Sequence, residues 1–180
     1  GDGSGLIHVA KSGSDANDGL SSFAPKLTIS AALTAAAALT PSSSKLVAVN
    51  VLDAGVYAES LTMARYVSVY APSARLEGGI THSIDSAVVL REHTISGSGV
   101  ALNTAISATA YYRADKVNVA LGVGFVNINF GALLVDIKTV IVSAAAYLVQ
   151  EASGQDGHLH YTGEDIYLDG AATGIWVQAS

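Results

Sequence analysis

The chain contains no cysteine. That excludes disulfides, zinc–thiolate sites and a thiol nucleophile together. Proline is scarce as well, with three residues in 180, so few rigid breaks interrupt the chain. Nine Lys and Arg stand against fifteen Asp and Glu, a net charge of −6, and the cations are scattered rather than clustered. Without a basic cluster to displace counterions from phosphates, the sequence argues against nucleic-acid binding. The same charge argues against docking on an anionic membrane surface. No apolar run approaches the roughly 20 residues needed to span a bilayer. The Ala-rich stretch Ile29–Leu39 is too short for that, and too far from the N-terminus for a signal peptide. Aromatics are only 7%, although half of the chain is hydrophobic. The apolar content is therefore mostly small and aliphatic, enough for a sizeable core and unlike a disordered chain or a charged coiled coil.

What is present reads as one domain over residues 1–180, in two parts. Residues 1–44 hold a first strand, Leu6–Ala10, then a loop, Lys11–Pro25, and the single convincing helix. The loop centre, Ser12 to Gly19, is turn chemistry: Asp15, Asn17 and Asp18 can bond nearby backbone groups, and Gly19 permits positive φ. The helix is expected from about Thr28 to Leu39, capped by Thr28 and bracketed by Pro25 and Pro41. Ile29, Leu33, Ala36 and Leu39 share one face at helical spacing.

From Lys45 onward the pattern changes to short strands. The main runs are Leu46–Leu52, Tyr66–Tyr70, Ala87–Arg91, Lys116–Leu121, Thr139–Ser143 and Asp165–Leu168, with shorter ones at Ala74–Leu76, Thr94–Ser96, Val100–Leu102 and Val126–Phe130. Alternation such as Val47-Ala48-Val49-Asn50-Val51 puts one row of side chains inside a half-buried strand. The main runs recur about every 20 to 28 residues, a period at which stacked coils must be considered. Gly97-Ser98-Gly99 and Gly122-Val123-Gly124 suit tight corners. An antiparallel sandwich also has many short strands with turn signals, so periodicity alone leaves both all-β options open.

A resemblance decides between them. Ile7 to Gly19, then Pro25-Lys26-Leu27-Thr28-Ile29 and Ala32, resembles the opening of pectate-lyase-like right-handed parallel β-helices. Gly55-Val56-Tyr57-Ala58-Glu59, after a Val-rich strand, resembles their first coil. The resemblance covers about residues 7 to 63. It implies an all-β fold: a short right-handed parallel β-helix (solenoid) with an N-terminal capping helix, residues 45–180 forming the coils. Asp15, Asn17, Asp18, Gly19, Pro25 and Thr28 are then the structural cap loop, covering backbone groups and an apolar stack that an open solenoid end would expose.

That superfamily includes pectin-degrading enzymes and bacteriophage tailspikes, so chemistry on polysaccharides has to be looked for. Paired carboxylates must converge at a set separation to divide acid and base roles. The nearest candidates are Glu164-Asp165 with Asp169, and Asp53 with Glu59. Adjacent residues on a strand point to opposite faces, which weakens the first set, and solvated turn carboxylates are the simpler reading. Arg91, Arg113 and Lys116 would be the bases of a lyase, but Arg91–Glu92 and Arg113–Asp115 read equally as weak surface pairs. Asp15, Asn17 and Asp18 lack the spacing of a calcium loop. His158 and His160 could share a metal if they lie on a strand, without an evident third ligand. His8, His82 and His93 stand isolated, and Ser86 and Ser96 have no supporting motif. Tyr111, Tyr112 and Trp176 are the aromatic groups available for stacking on a sugar.

The expected function is therefore non-enzymatic, with no catalytic residue, metal or cofactor. Tailspikes are parallel trimers, and a short capped β-helix would suit a homotrimer that decorates and stabilises a bacteriophage capsid or forms a small tail component. Its partner would be the major capsid protein or a tail protein, and its place the virion, after assembly in the host cytoplasm. Val140–Leu148 and Gly170–Val177 carry almost no charge, so Val140, Val142, Tyr147, Leu148, Ile175 and Trp176 are expected at subunit contacts. The alternative is a polysaccharide-degrading or polysaccharide-binding protein, a lyase or glycoside hydrolase. Against it stands the length, which after the cap leaves about six coils at this repeat, little for an extended groove.

Overall fold

A computed structural model describes residues 5–83, 85–95, 100–104, 109–120, 124–128, 131–143, 149–151, 157–169 and 177–179, with side chains for 5–83, 85–95, 110–119, 133–141 and 160–165. The chain opens with β1 (Gly5–Val9) and α1 (Ile29–Ala38). There follow β2 (Val47–Val51), β3 (Val56–Tyr57), β4 (Leu61–Thr62), β5 (Val67–Glu77), β6 (Ile80–His82), β7 (Ala87–Ile95) and β8 (Val100–Thr104). Then come β9 (Thr109–Ala120), β10 (Gly124–Ile128), β11 (Gly131–Ser143), β12 (Val149–Glu151), β13 (Gly157–Asp169) and β14 (Val177–Ala179).

Every pairing between these strands is parallel, and strands stack in chain order. One ladder runs β1-β2-β5-β7-β9-β11-β13, with β3 joined to β5; the other runs β4-β6-β8-β10-β12-β14. Partners one rung apart are offset by 17 residues at Arg75–Glu92 and by 28 at Val149–Val177. This is a short parallel β-solenoid with its one helix near the N-terminus. The sandwich alternative is thereby set aside for the C-terminal half as well.

The main departure from the sequence reading concerns strand length. Runs that look separate are two halves of single long strands: Tyr66–Tyr70 and Ala74–Leu76 belong to β5, and Ala87–Arg91 and Thr94–Ser96 fall largely in β7. The reason lies where the halves meet. Ala114 and Val117 are both buried, with two non-buried residues, Asp115 and Lys116, between them. The same doublet recurs at Arg91-Glu92, Lys138-Thr139 and Glu164-Asp165, and the ladder skips Arg91, Asp115, Lys138 and Glu164. A strand that keeps its core on both sides of such a doublet turns a corner there. The solenoid thus has a first wall before the corner, a second after it, and a third formed by the β4–β14 ladder. The glycines at 97, 99 and 122 lie outside the described residues.

Inside, side chains stack by type. Ile7, Val49, Val69, Val88, Tyr112 and Val135 form one buried column on the first wall. Tyr57, Leu76, His93, Val117 and Val140 form another on the second. The turns into the first wall repeat too. Tyr66 and Asp85 precede equivalent positions and both adopt left-handed backbone, at φ 61° and 52°, a conformation uncommon for tyrosine. Arg65 packs over the Tyr66 ring and pairs with Asp85 at 3.5 Å.

At the N-terminal end, α1 buries Ile29, Ala32, Leu33 and Ala36, and the Thr28 hydroxyl accepts from the Ala31 amide at 3.1 Å. Leu39 closes the helix as its C-cap and packs against the core.

Candidate functional site

The cap loop is built by side chains that satisfy the backbone. The Asp15 carboxylate accepts from the amides of Leu27 and Thr28 and from the Thr28 hydroxyl. Asp18 accepts from the Leu20 amide, and Asn17 donates to the carbonyl of Pro25. Gly19 has φ +77°, and its carbonyl receives the His8 amide at 2.7 Å. Lys26 bonds the free edge of β1 twice, donating to the His8 carbonyl and accepting from the Ala10 amide, so the loop covers the outer side of the first strand.

Asp53 and Glu59, one of the carboxylate pairs considered above, do not converge on a shared cleft. Asp53 accepts from the amides of Lys11 (2.6 Å) and Gly55 (3.0 Å) and from the Tyr57 hydroxyl (2.9 Å), while the Lys11 ammonium lies 3.9 Å over the Tyr57 ring. Burial alone would raise its carboxyl, but the bonds from Lys11, Tyr57 and Gly55 outweigh that and hold it below the ordinary carboxylate range. Glu59 accepts from the amides of Ile29 and Ser30 and from the Ser30 hydroxyl, an anion on the first turn of α1. Both acids are committed to holding the cap.

Tyr111, Arg113 and His160 fall on the outer face of the first wall, while Arg91, Lys116, Glu164 and Asp165 stand at the corner. Successive rungs place Leu6, Ala48, Ser68, Ala87, Tyr111, Leu134 and His160 in one row, and His8, Asn50, Tyr70, Val89, Arg113, Asp136 and Thr162 in the next. The first four rungs carry no Asp, Glu, Lys or Arg in either row, whereas later rungs carry Arg113 and Asp136 and meet the charged corner. There the pairs form across rungs, Arg113 with Asp136 at 3.7 Å and Lys138 with Asp115 at 3.0 Å. The Arg113–Asp115 pair considered above is not made; each residue pairs with the next rung instead. Glu164 and Asp165 are both exposed, not on opposite faces, since they form a corner doublet. Tyr70, Val89, Tyr111, Arg113, Asp115 and Lys138 line a groove of about 370 Å³, and Tyr111 also borders a second of about 260 Å³ with Asp136 and His160.

Two expectations are corrected. Tyr112 is fully buried in the core and is no stacking platform. Val140 is likewise fully buried, stacked on Val117 inside the chain's own solenoid, so its side chain does not reach a subunit contact. The side chains of Val142, His158 and Asp169, and residues Tyr147, Leu148, Ile175, Trp176 and Ser96, lie outside the described residues.

Sequence reasoning missed one group altogether. His82, Ser86 and His93 are buried polar residues in an otherwise aliphatic core, gathered around Tyr112. The available signal was positional. His93 and Tyr112 occupy inward places in alternating strands, where Val or Leu stands on neighbouring rungs. Among the described residues no group of three or more His, Asp or Glu could hold a metal ion.

Comparison with known proteins returns no matching family model, curated protein or solved structure.

Proposed function

We propose that the chain is a non-enzymatic assembly protein, a homotrimer that decorates and stabilises a bacteriophage capsid or forms a small tail part. The observation that carries this reading is apolar exposure at the capped end. Among the described residues, the large exposed hydrophobics all fall between Leu6 and Tyr70, and Phe23 in the cap loop is 98% exposed beside Leu20 at 58%. Large apolar side chains left exposed together at one end of the molecule favour burial against protein. The phage setting comes from the resemblance of residues 7 to 63 to tailspike-type β-helices. Native mass and re-binding to stripped capsids test the reading. A species of three chains that re-binds, and a Phe23→Asp variant that folds but does not, are the expected results. A monomer that ignores capsids and turns over a capsular polysaccharide would overturn it.

The groove between Tyr70 and Tyr111 favours a second reading, binding of a polysaccharide. Two tyrosines flank Val89, with Arg113, Asp115 and Lys138 at the rim, a mixture of stacking surface and hydrogen-bonding groups suited to a sugar. Loss of glycan-array binding in Tyr111→Ala would favour it over the first.

A further inference from the structure

The polar island in the core joins all three walls: His82 ends β6 on the third, His93 lies in β7 on the second, and Tyr112 in β9 on the first. Ser86 stands one residue before β7. His82 and Tyr112 meet edge to face at 6.4 Å between ring centres, and His93 lies 5.7 Å from Tyr112. All four side chains are at least 97% buried.

The hydrogen bonds fix which nitrogen carries each proton. The Nε2 of His93 faces the Gly78 carbonyl at 2.5 Å. A carbonyl only accepts, so Nε2 donates and Nδ1 must receive the Tyr112 hydroxyl, 2.8 Å away. In His82 the order is reversed. Ser86 Oγ donates to the Ser83 carbonyl at 2.9 Å, so toward His82 Nδ1, 3.2 Å away, it accepts. His82 is therefore protonated on Nδ1, and its bare Nε2 is buried with no hydrogen-bond partner. The two imidazoles are locked as opposite neutral tautomers.

We propose that this island is an acid-operated lock: a proton arriving on His82 Nε2 or His93 Nδ1 breaks the junction of the three walls and opens the solenoid locally between β6 and β9. The proton on His82 enters a site with no acceptor. The proton on His93 turns Nδ1 into a donor, so the Tyr112 hydroxyl must swing its hydrogen away and accept instead. No compensating anion faces either ring among the described side chains. The first wall presents Tyr112, the second His93 with Leu76 and Tyr57 in its column, and the turn before β7 presents Ser86. Glu77 and Glu92, on the strands flanking His93, occupy non-inward positions, Glu77 pairing with Arg75 and Glu92 accepting from Asn118. Burial pushes both imidazoles down to about 4, from an ordinary value near 6.5. A depressed histidine stabilises the fold above its unfolded value, and that stability is lost as pH falls from about 6.5 toward 4. The aspartates that hold the cap act only below about 3.8, so the two responses occupy different pH windows.

Thermal unfolding and amide hydrogen exchange between pH 7.5 and 4 test the lock on the unmodified chain. The expected result is a fall in Tm of about 10 °C or more across that range. Amides of β6, β7 and β9 should lose protection by at least tenfold while those of β1 and β2 keep it. A His82→Gln variant, or His93→Gln if the first does not fold, should flatten the Tm profile between pH 6.5 and 4. A constant Tm from pH 7 to 4, uniform loss of protection, or imidazole resonances titrating near 6.5 would each overturn the proposal.

Discussion

The cap and the core both tie polar side chains to fixed partners, and they do so in opposite ways. In the cap they are anions at or near the surface, each supplied with three donors: Asp15 and Asp53 by two amides and a hydroxyl, Glu59 by two amides and the Ser30 hydroxyl. In the core they are neutral imidazoles with one or two partners, and one ring nitrogen has none. A carboxylate can replace missing strand partners because it accepts from several N–H groups at once, and a solenoid end has such groups to satisfy. A stacked interior leaves few backbone groups outside its ladders, so a polar side chain there finds a stray carbonyl, as His93 does at Gly78, or a neighbouring side chain, or stays unpaired. Location on the solenoid therefore decides which polar residue is tolerated and in which charge state.

The sharpest way to break that comparison is to remove a cap anion. Asp53→Ala strands the amides of Lys11 and Gly55 and the Tyr57 hydroxyl together, and is expected to cost about 2–4 kcal/mol. Denaturant unfolding measures it, and Asp53→Asn, which keeps acceptor oxygen without charge, should recover part of the loss. The pH dependence has a definite sign. A carboxyl held below its ordinary value stabilises at neutral pH, and the contribution fades as acid protonates it below about 3.8. An Asp53→Ala chain should therefore lose less stability than the parent on going from pH 4 to pH 2. An equal loss in both would show that Asp53 is not the acid-sensitive anion.

Tyr112→Phe probes the core side with a smaller expected effect. It keeps the ring in its column and removes only the hydroxyl that donates to His93 Nδ1. The expected cost is about 1–2 kcal/mol at pH 7, read from the denaturation midpoint. The cost should fall to near nothing for solvent-facing Tyr70→Phe, which serves as the control. If Tyr112→Phe and Tyr70→Phe behave alike, the His93–Tyr112 bond contributes no stability.

How much of this was legible in the sequence depended on which residues follow a simple period. The helix was readable because Thr28, Pro25 and Pro41 mark its limits and Ile29, Leu33 and Ala36 repeat on one face. The inner columns were readable from Val47-Ala48-Val49 and its equivalents. The corners were not, since a doublet such as Asp115-Lys116 interrupts alternation and so imitates a strand end. Spacing was the missed clue: charged doublets at 91, 115, 138 and 164 recur at the coil length. The histidine island was invisible for a different reason. His82, His93 and Tyr112 come from three rungs and three walls, and only the register brings them together.

The corner supplies the smallest test and the clearest contrast with both the cap and the core. Down one column the signs alternate, Arg91, Asp115, Lys138, Glu164, and the Lys138–Asp115 pair closes at 3.0 Å with both side chains about half exposed. Water screens such a pair, and ordering two mobile side chains offsets much of the attraction. Lys138→Ala is therefore expected to cost at most about 0.5 kcal/mol at low salt and to be neutral in 0.5 M NaCl, where the Debye length falls below about 5 Å. The alternation has another consequence. Sliding β11 by two residues along β9 would set Lys138 against Arg113 and separate it from Asp115, so the charges oppose misregister even where each pair adds little to stability. Reversing one sign, Lys138→Glu, puts like charges beside both Asp115 and Glu164 and should cost more than the alanine change does. If the two substitutions prove equally mild at low salt, the corner charges do not select register.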